Sequence, residues 1–192
     1  MPIPESNERY TYADYLTWPE DERWEIIDGV AYMQAAPTPT HQEILMELAR
    51  QIANYLTGKP CKVYPAPFCV RLTKDDERKN EGITKVVEPD ITVVCDKSKI
   101  DEKGCNGAPD MIIEIVSPSS TKRDRFIKFN AYEKAGIKEY WIVEPDVKIV
   151  SVFVLQHNGS YGRQNVYSEE DQIQVNLFPN LTIDLKSIFV NI

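Results

Sequence analysis

Two apolar runs, each carrying one carboxylate, constrain this chain more than any other feature. The first is Glu88-Pro89-Asp90-Ile91-Thr92-Val93-Val94, and the second is Met111-Ile112-Ile113-Glu114-Ile115-Val116-Ser117-Pro118-Ser119. Both are rich in β-branched residues and read as buried strands. A carboxylate on such a strand is costly unless something compensates its charge. A divalent cation does so naturally, because Mg²⁺ is held by one or two carboxylates together with substrate phosphate. Asp90 and Glu114 on neighbouring strand ends therefore predict a metal site, and metal with phosphate points to phosphodiester chemistry. Each also has a plainer role: Asp90 as a turn former after Pro89, Glu114 as half of a buried ion pair with Lys128 or Arg125.

A chain of 192 residues predicts one domain, 1–192, large enough for a substantial core. No apolar run approaches the roughly 20 residues of a membrane helix. Met1-Pro2-Ile3-Pro4-Glu5-Ser6 has neither the basic segment nor the apolar core of a secretory signal, so a cytoplasmic location is expected. Cys61, Cys69, Cys95 and Cys105 contain no CxxC pair and are expected as free thiols in a reducing compartment. Their spacing and the scarcity of histidine argue against structural zinc. The net charge of -8 opposes broad contact with a nucleic acid, which relies on Lys and Arg. A local cluster, Lys122-Arg123-Asp124-Arg125 with Lys128, reads either as a basic patch or as a solvated helix start.

Thr11 predicts a capped helix over 12–16. The Asp28-Gly29 pair predicts a hairpin between 23–27 and 30–33. Thr40 predicts a helix running to Leu56, with Ile44, Leu45, Leu48, Ile52 and Leu56 on its core face. Strands are predicted over 61–64, 68–72 and 86–95, the last interrupted at Pro89, with loops over 74–82 and 97–109. A turn over 117–121 should lead into a helix over 122–135, stopped by Gly136. Strands over 139–144, 149–156 and 161–167 and a last helix near Leu185 complete an α/β or α+β domain, one sheet flanked by helices.

In order along the chain stand Tyr12-Ala13-Asp14-Tyr15-Leu16, Trp24-Glu25-Ile26-Ile27-Asp28-Gly29, His41-Gln42, Glu88-Pro89-Asp90-Ile91 and the block from Gly107 to Ser120. Asp124, Lys128, Tyr132 and the block from Gly136 to Val143 follow. This succession resembles the Uma2 family of restriction-endonuclease-like proteins, part of the PD-(D/E)XK nuclease superfamily. The resemblance implies a restriction-endonuclease-like core, a central mixed β-sheet flanked by helices, whose acidic residues hold Mg²⁺ or, as an alternative, Mn²⁺. Carried over by position, Asp90 and Glu114 are the two acids and Glu25 the additional early one. The backbone carbonyl of Ile115 would complete the metal shell. The motif's lysine, two residues beyond the second acid, is replaced here by Val116; Lys128 on the following helix is the candidate substitute. DNA is the implied substrate and a homodimer the implied assembly.

Glu25 also reads as a solvent-facing strand residue and Lys128 as a solvent-facing helix lysine. Gln42 is either a water-orienting residue or a polar first-turn residue. His41 reads as a helix-start residue, since no Ser/His/Asp order supports a triad. Ser117 and Ser119 suit capping of the next helix; Tyr132 and Trp141 suit the core. The expected function is Mg²⁺-dependent endonucleolytic hydrolysis, with Asp90, Glu114, Lys128 and Glu25 as its residues. The alternative is a catalytically weak or inactive nuclease-fold module that binds nucleic acid or protein.

Overall fold

The computed structural model describes residues 8–73, 80–117 and 123–190. Helix α1 (Tyr12–Tyr15) precedes a hairpin of β1 (Trp24–Ile27) and β2 (Val30–Met33). Asp28 and Gly29 turn that hairpin with φ of 50° and 79°, the left-handed pair that a tight two-residue turn demands. Helix α2 (Pro39–Leu56) is capped by Thr38, two residues ahead of the expected Thr40. Pro39 has its φ fixed for a first turn and no N–H to leave unsatisfied. The Thr38 hydroxyl, rather than that of Thr40, accepts from the His41 N–H at 3.2 Å.

Seven strands follow: β3 (Lys62–Pro65), β4 (Val70–Arg71), β5 (Val86–Val87), β6 (Ile91–Val94), β7 (Ile100–Asp101), β8 (Gly104–Asn106) and β9 (Met111–Ile115). The strand expected over 86–95 with an interruption at Pro89 is divided there, at Glu88-Pro89-Asp90, and the connection expected over 97–109 contains the β7–β8 hairpin. The loop over 74–79 and the turn and helix start over 118–122, with Ser119, lie outside the described residues. A wide π turn, Arg123–Lys128, leads into α3 (Phe129–Ala135), which ends at Gly136 with φ 82°. Then come β10 (Glu139–Glu144), β11 (Ile149–Val154), β12 (Asn165–Ser168), β13 (Gln172–Gln174), β14 (Thr182–Asp184) and α4 (Leu185–Phe189). The strand expected over 161–167 is shifted; Tyr161 makes an isolated bridge to Leu155.

The strands form a mixed α+β architecture of two six-stranded sheets, ordered β2-β1-β5-β4-β8-β7 and β12-β11-β10-β9-β6-β3, with β13-β14 paired separately. The single sheet expected from sequence is corrected to two: the predicted hairpin over 23–33 and the strand over 68–72 contribute to the first, and the strands predicted over 61–64, 139–144 and 149–156 to the second. The first is built from strands of two to four residues, too short to show a period.

β9 and β10 run parallel in the second sheet and are buried on both faces. Alternation sends Ile113, Ile115, Trp141 and Val143 toward Ile44, Leu48 and Ile52 of α2. The opposite face presents Ile112, Val116, Tyr140 and Ile142 to Ala131 and Tyr132 of α3. Glu114 shares that second face by the period-2 rule. Leu48 is fully buried under the sheet, so Leu48→Ala is expected to cost about 3 kcal/mol, read as a lower urea midpoint with an unchanged slope.

The expectation of free thiols is corrected at two positions. Cys61 and Cys95 form a disulfide, because the antiparallel register that pairs Lys62 with Val94 sets the next two residues opposite each other. Cys69 and Cys105 are free. Among the described residues no helix is long and apolar enough to cross a membrane.

Candidate active site

β5 lies in one sheet and β6 in the other, so the chain crosses between sheets at Glu88-Pro89-Asp90. A cleft of about 670 Å³ opens at this junction. The β6–β9 register pairs Ile91 with Ile113, which places Asp90 opposite Glu114. The π turn brings Asp124 and Lys128 to the same cleft, and the start of α2 brings His41. β1 contributes Glu25 from behind that wall; it is fully buried.

Lys128 is the hub. Its Nζ lies 2.8 Å from Glu25 Oε1, 3.0 Å from Glu114 Oε1 and 3.6 Å from Asp124 Oδ1. Burial works against its charge, but the three carboxylates hold its ammonium above the ordinary lysine range. Burial also pushes the Glu114 carboxyl up to about 8; Lys128 pulls it down, while Asp124, Asp90 and Glu25 push it further up. The Tyr132 hydroxyl donates to Glu114 Oε1 at 2.6 Å. Its pKa is raised well above the usual phenol value by burial and by Glu114, so it stays a donor. Glu25 Oε1 also accepts the Glu88 N–H at 3.0 Å, whereas Glu25 Oε2 is buried without a hydrogen-bond partner.

Asp90 is held separately. Its Oδ2 accepts the Ile115 N–H at 2.7 Å, and its Oδ1 lies 3.0 Å from His41 Nε2. The Ile115 N–H therefore fixes the first acid beside the second. All five residues singled out from sequence (Glu25, Asp90, Glu114, Ile115 and Lys128) are gathered here. Neither plainer reading of Lys128 or Glu25 as solvent-facing holds, since both are buried. Arg125, the other suggested partner of Glu114, pairs with Glu144 instead.

Four residues at the site carry no site role in the sequence reading. His41 reads there as a helix-start residue. Asp124 and Arg123 belong to the cluster that reads as a basic patch or a solvated helix start. Tyr132 reads as core, where it does sit, though its hydroxyl reaches the site. The signal for Asp124 and Lys128 was their spacing of four, which puts them on one helical face.

The donor set fits a hard cation. Asp90, Glu114 and the Ile115 backbone offer oxygens from adjoining strands, and the buried cluster of Glu25, Glu114 and Asp124 outnumbers Lys128 and Arg123. Among the described residues no group of three or more His, Cys, Asp or Glu side chains is placed to hold a metal ion. Mg²⁺ does not require one, since it keeps several waters. The cleft as a whole is acidic: Glu88, Asp90, Glu114, Asp124 and Asp146 face Arg23, Arg123 and Lys128.

Residues 12–186 match the model of the family described as Uma2, putative restriction endonuclease. The chain belongs to the Uma2 family. A similar relative is the uncharacterized protein slr1290 of Synechocystis sp., 22% identical over 165 residues, which span 84% of this chain and 82% of that one. The fold resembles the crystal structure of a putative nuclease belonging to DUF820 from Anabaena variabilis. Its TM-score is 0.74 at 22% identity, covering 94% of this chain and 98% of the other. The shared fold thus extends over nearly the whole chain.

Proposed function

We propose that this Uma2 protein is a Mg²⁺-dependent endonuclease, with Mn²⁺ an effective substitute, and that its substrate is DNA. The observation that carries the reading is the approach of Lys128 Nζ to 3.0 Å from Glu114 Oε1, with Asp90 opposite Glu114. In this reading the π turn would supply the lysine that Val116 replaces just past strand β9. Asp90, Glu114 and the Ile115 carbonyl would hold the cation. A bound divalent cation lowers the pKa of its water and offsets charge on the scissile phosphate. Lys128 stays protonated between its carboxylates and orients the attacking water, stabilising charge that builds on the phosphate. Glu25 fixes Lys128 through Oε1, and its unpartnered Oε2 suits a water-mediated ligand. Tyr132 holds the Glu114 carboxylate in place. A homodimer would present two such clefts to two strands.

Plasmid and single-stranded DNA incubated with Mg²⁺ or Mn²⁺ should be cut, and chelation by EDTA should stop it. The acidic lining of the cleft favours a second reading, a nuclease-fold module that binds without cutting. A folded protein that binds oligonucleotide yet leaves both substrates intact with either ion would support that second reading instead.

A further inference from the structure

Basic side chains at the cleft differ in how far their donors are already engaged. Lys128 has two carboxylate oxygens within 3.0 Å, Arg23 Nε has Glu88 Oε2 at 2.9 Å, and His41 Nε2 has Asp90 Oδ1 at 3.0 Å. Arg123 lines the same cleft, but its Nε is buried without a hydrogen-bond partner. The carboxylate oxygens recorded near that Nε are beyond hydrogen-bond reach: Glu25 Oε2 at 3.7 Å and Asp124 Oδ1 at 4.0 Å. Long-range attraction to these two acids, and the Tyr32 ring 5.9 Å from the guanidinium carbon, hold the side chain without satisfying that donor. Arg123 also opens the π turn that Lys128 closes. Such widened turns recur at functional sites because they re-aim side chains.

We propose that Arg123 binds the phosphodiester of the substrate through its guanidinium, fixing the phosphate beside Lys128. This rests on the phosphodiesterase reading above and adds a residue that the acidic motif does not contain. A planar guanidinium with an open donor suits the non-bridging oxygens of a phosphodiester, which it can grip with two parallel hydrogen bonds. It also supplies an anion contact in a cleft whose acidic residues outnumber its basic ones.

The test is the binding of a fluorescein-labelled thymidine oligonucleotide, followed by anisotropy in Ca²⁺. Arg123→Gln is expected to raise Kd at least about tenfold, the scale of a charge-assisted hydrogen bond. Arg123→Lys should recover part of that loss and keeps the comparison available if the Gln variant does not fold. Lys186→Gln on α4, where the lysine is exposed, removes the same charge far from the cleft and should stay within about twofold of the parent, since distant exposed charges are screened. In turnover, Arg123→Gln should raise KM more than it lowers kcat. If Arg123 merely balanced Glu25, the Gln variant would melt lower while binding as tightly as the parent; that result overturns the proposal alone. An unmodified protein that binds no oligonucleotide would overturn the phosphodiesterase reading together with it.

Discussion

Lys128→Met is expected to destabilise the protein by about 3–5 kcal/mol, because it strands buried carboxylates without their counter-ion. Methionine fills a similar volume and tolerates an irregular site, so the loss reports charge rather than a cavity. Glu25, Glu114 and Asp124 all converge on the ammonium, and Glu25 has no exposure to water that could replace it. For a domain of this size the melting temperature should fall by roughly 10 °C, measured by calorimetry in EDTA. Cleavage should be lost even at temperatures where the variant remains folded. A melting temperature unchanged from the parent would show that Lys128 does not compensate these carboxylates.

Glu114→Gln should separate activity from stability. Cleavage is expected to drop by at least about a hundredfold, the upper end of losses that follow weakened metal coordination. Stability should move the other way or stay level. Burial lifts the Glu114 carboxyl from 4.5 to about 8, so the folded protein holds this proton more tightly than the unfolded chain does. The group's contribution to stability is therefore complete below about pH 4.5 and is lost as pH rises through about 8. Glutamine keeps the oxygen that accepts from Lys128 and Tyr132 but never ionises. In EDTA the variant should show a smaller fall in melting temperature between about pH 5 and pH 8 than the parent. A parallel fall in both proteins would remove Glu114 from that dependence. The combination of lost cleavage with equal or better stability is the pattern expected of a group placed for chemistry rather than for folding.

The two acidic strands were legible because each breaks its own pattern. A carboxylate amid Ile and Val has no local explanation, and Asp90 and Glu114 do face each other across β6 and β9. Helix α2 was legible from the spacing of Ile44, Leu48 and Ile52, all fully buried. The first sheet was legible in its β1–β2 hairpin, turned at Asp28-Gly29, but not in its assembly, since β4, β5 and β7 have two residues each and pairing through backbone alone leaves no side-chain period. For the same reason the Cys61–Cys95 disulfide was hidden: it follows from the β3–β6 register, which cysteine spacing does not encode. Lys128 was found only as a candidate. Its arrival at Glu114 depends on a π turn, and nothing in the run from Arg123 to Lys128 distinguishes that turn from an ordinary helix start. Arg123 and His41 carried no site role from sequence, because their places at the cleft arise from approach in space, between segments that lie far apart in the chain.

Direct titration with Mn²⁺, followed by the loss of its free-ion electron paramagnetic resonance signal, tests the cation site without any assumption about substrate. The unmodified protein is expected to bind Mn²⁺ at a site that Mg²⁺ displaces. Asp90→Asn and Glu114→Gln should each abolish or strongly weaken that binding while remaining folded. Binding of equal strength in all three proteins, or none in the unmodified protein, would contradict a metal centre built on Asp90 and Glu114.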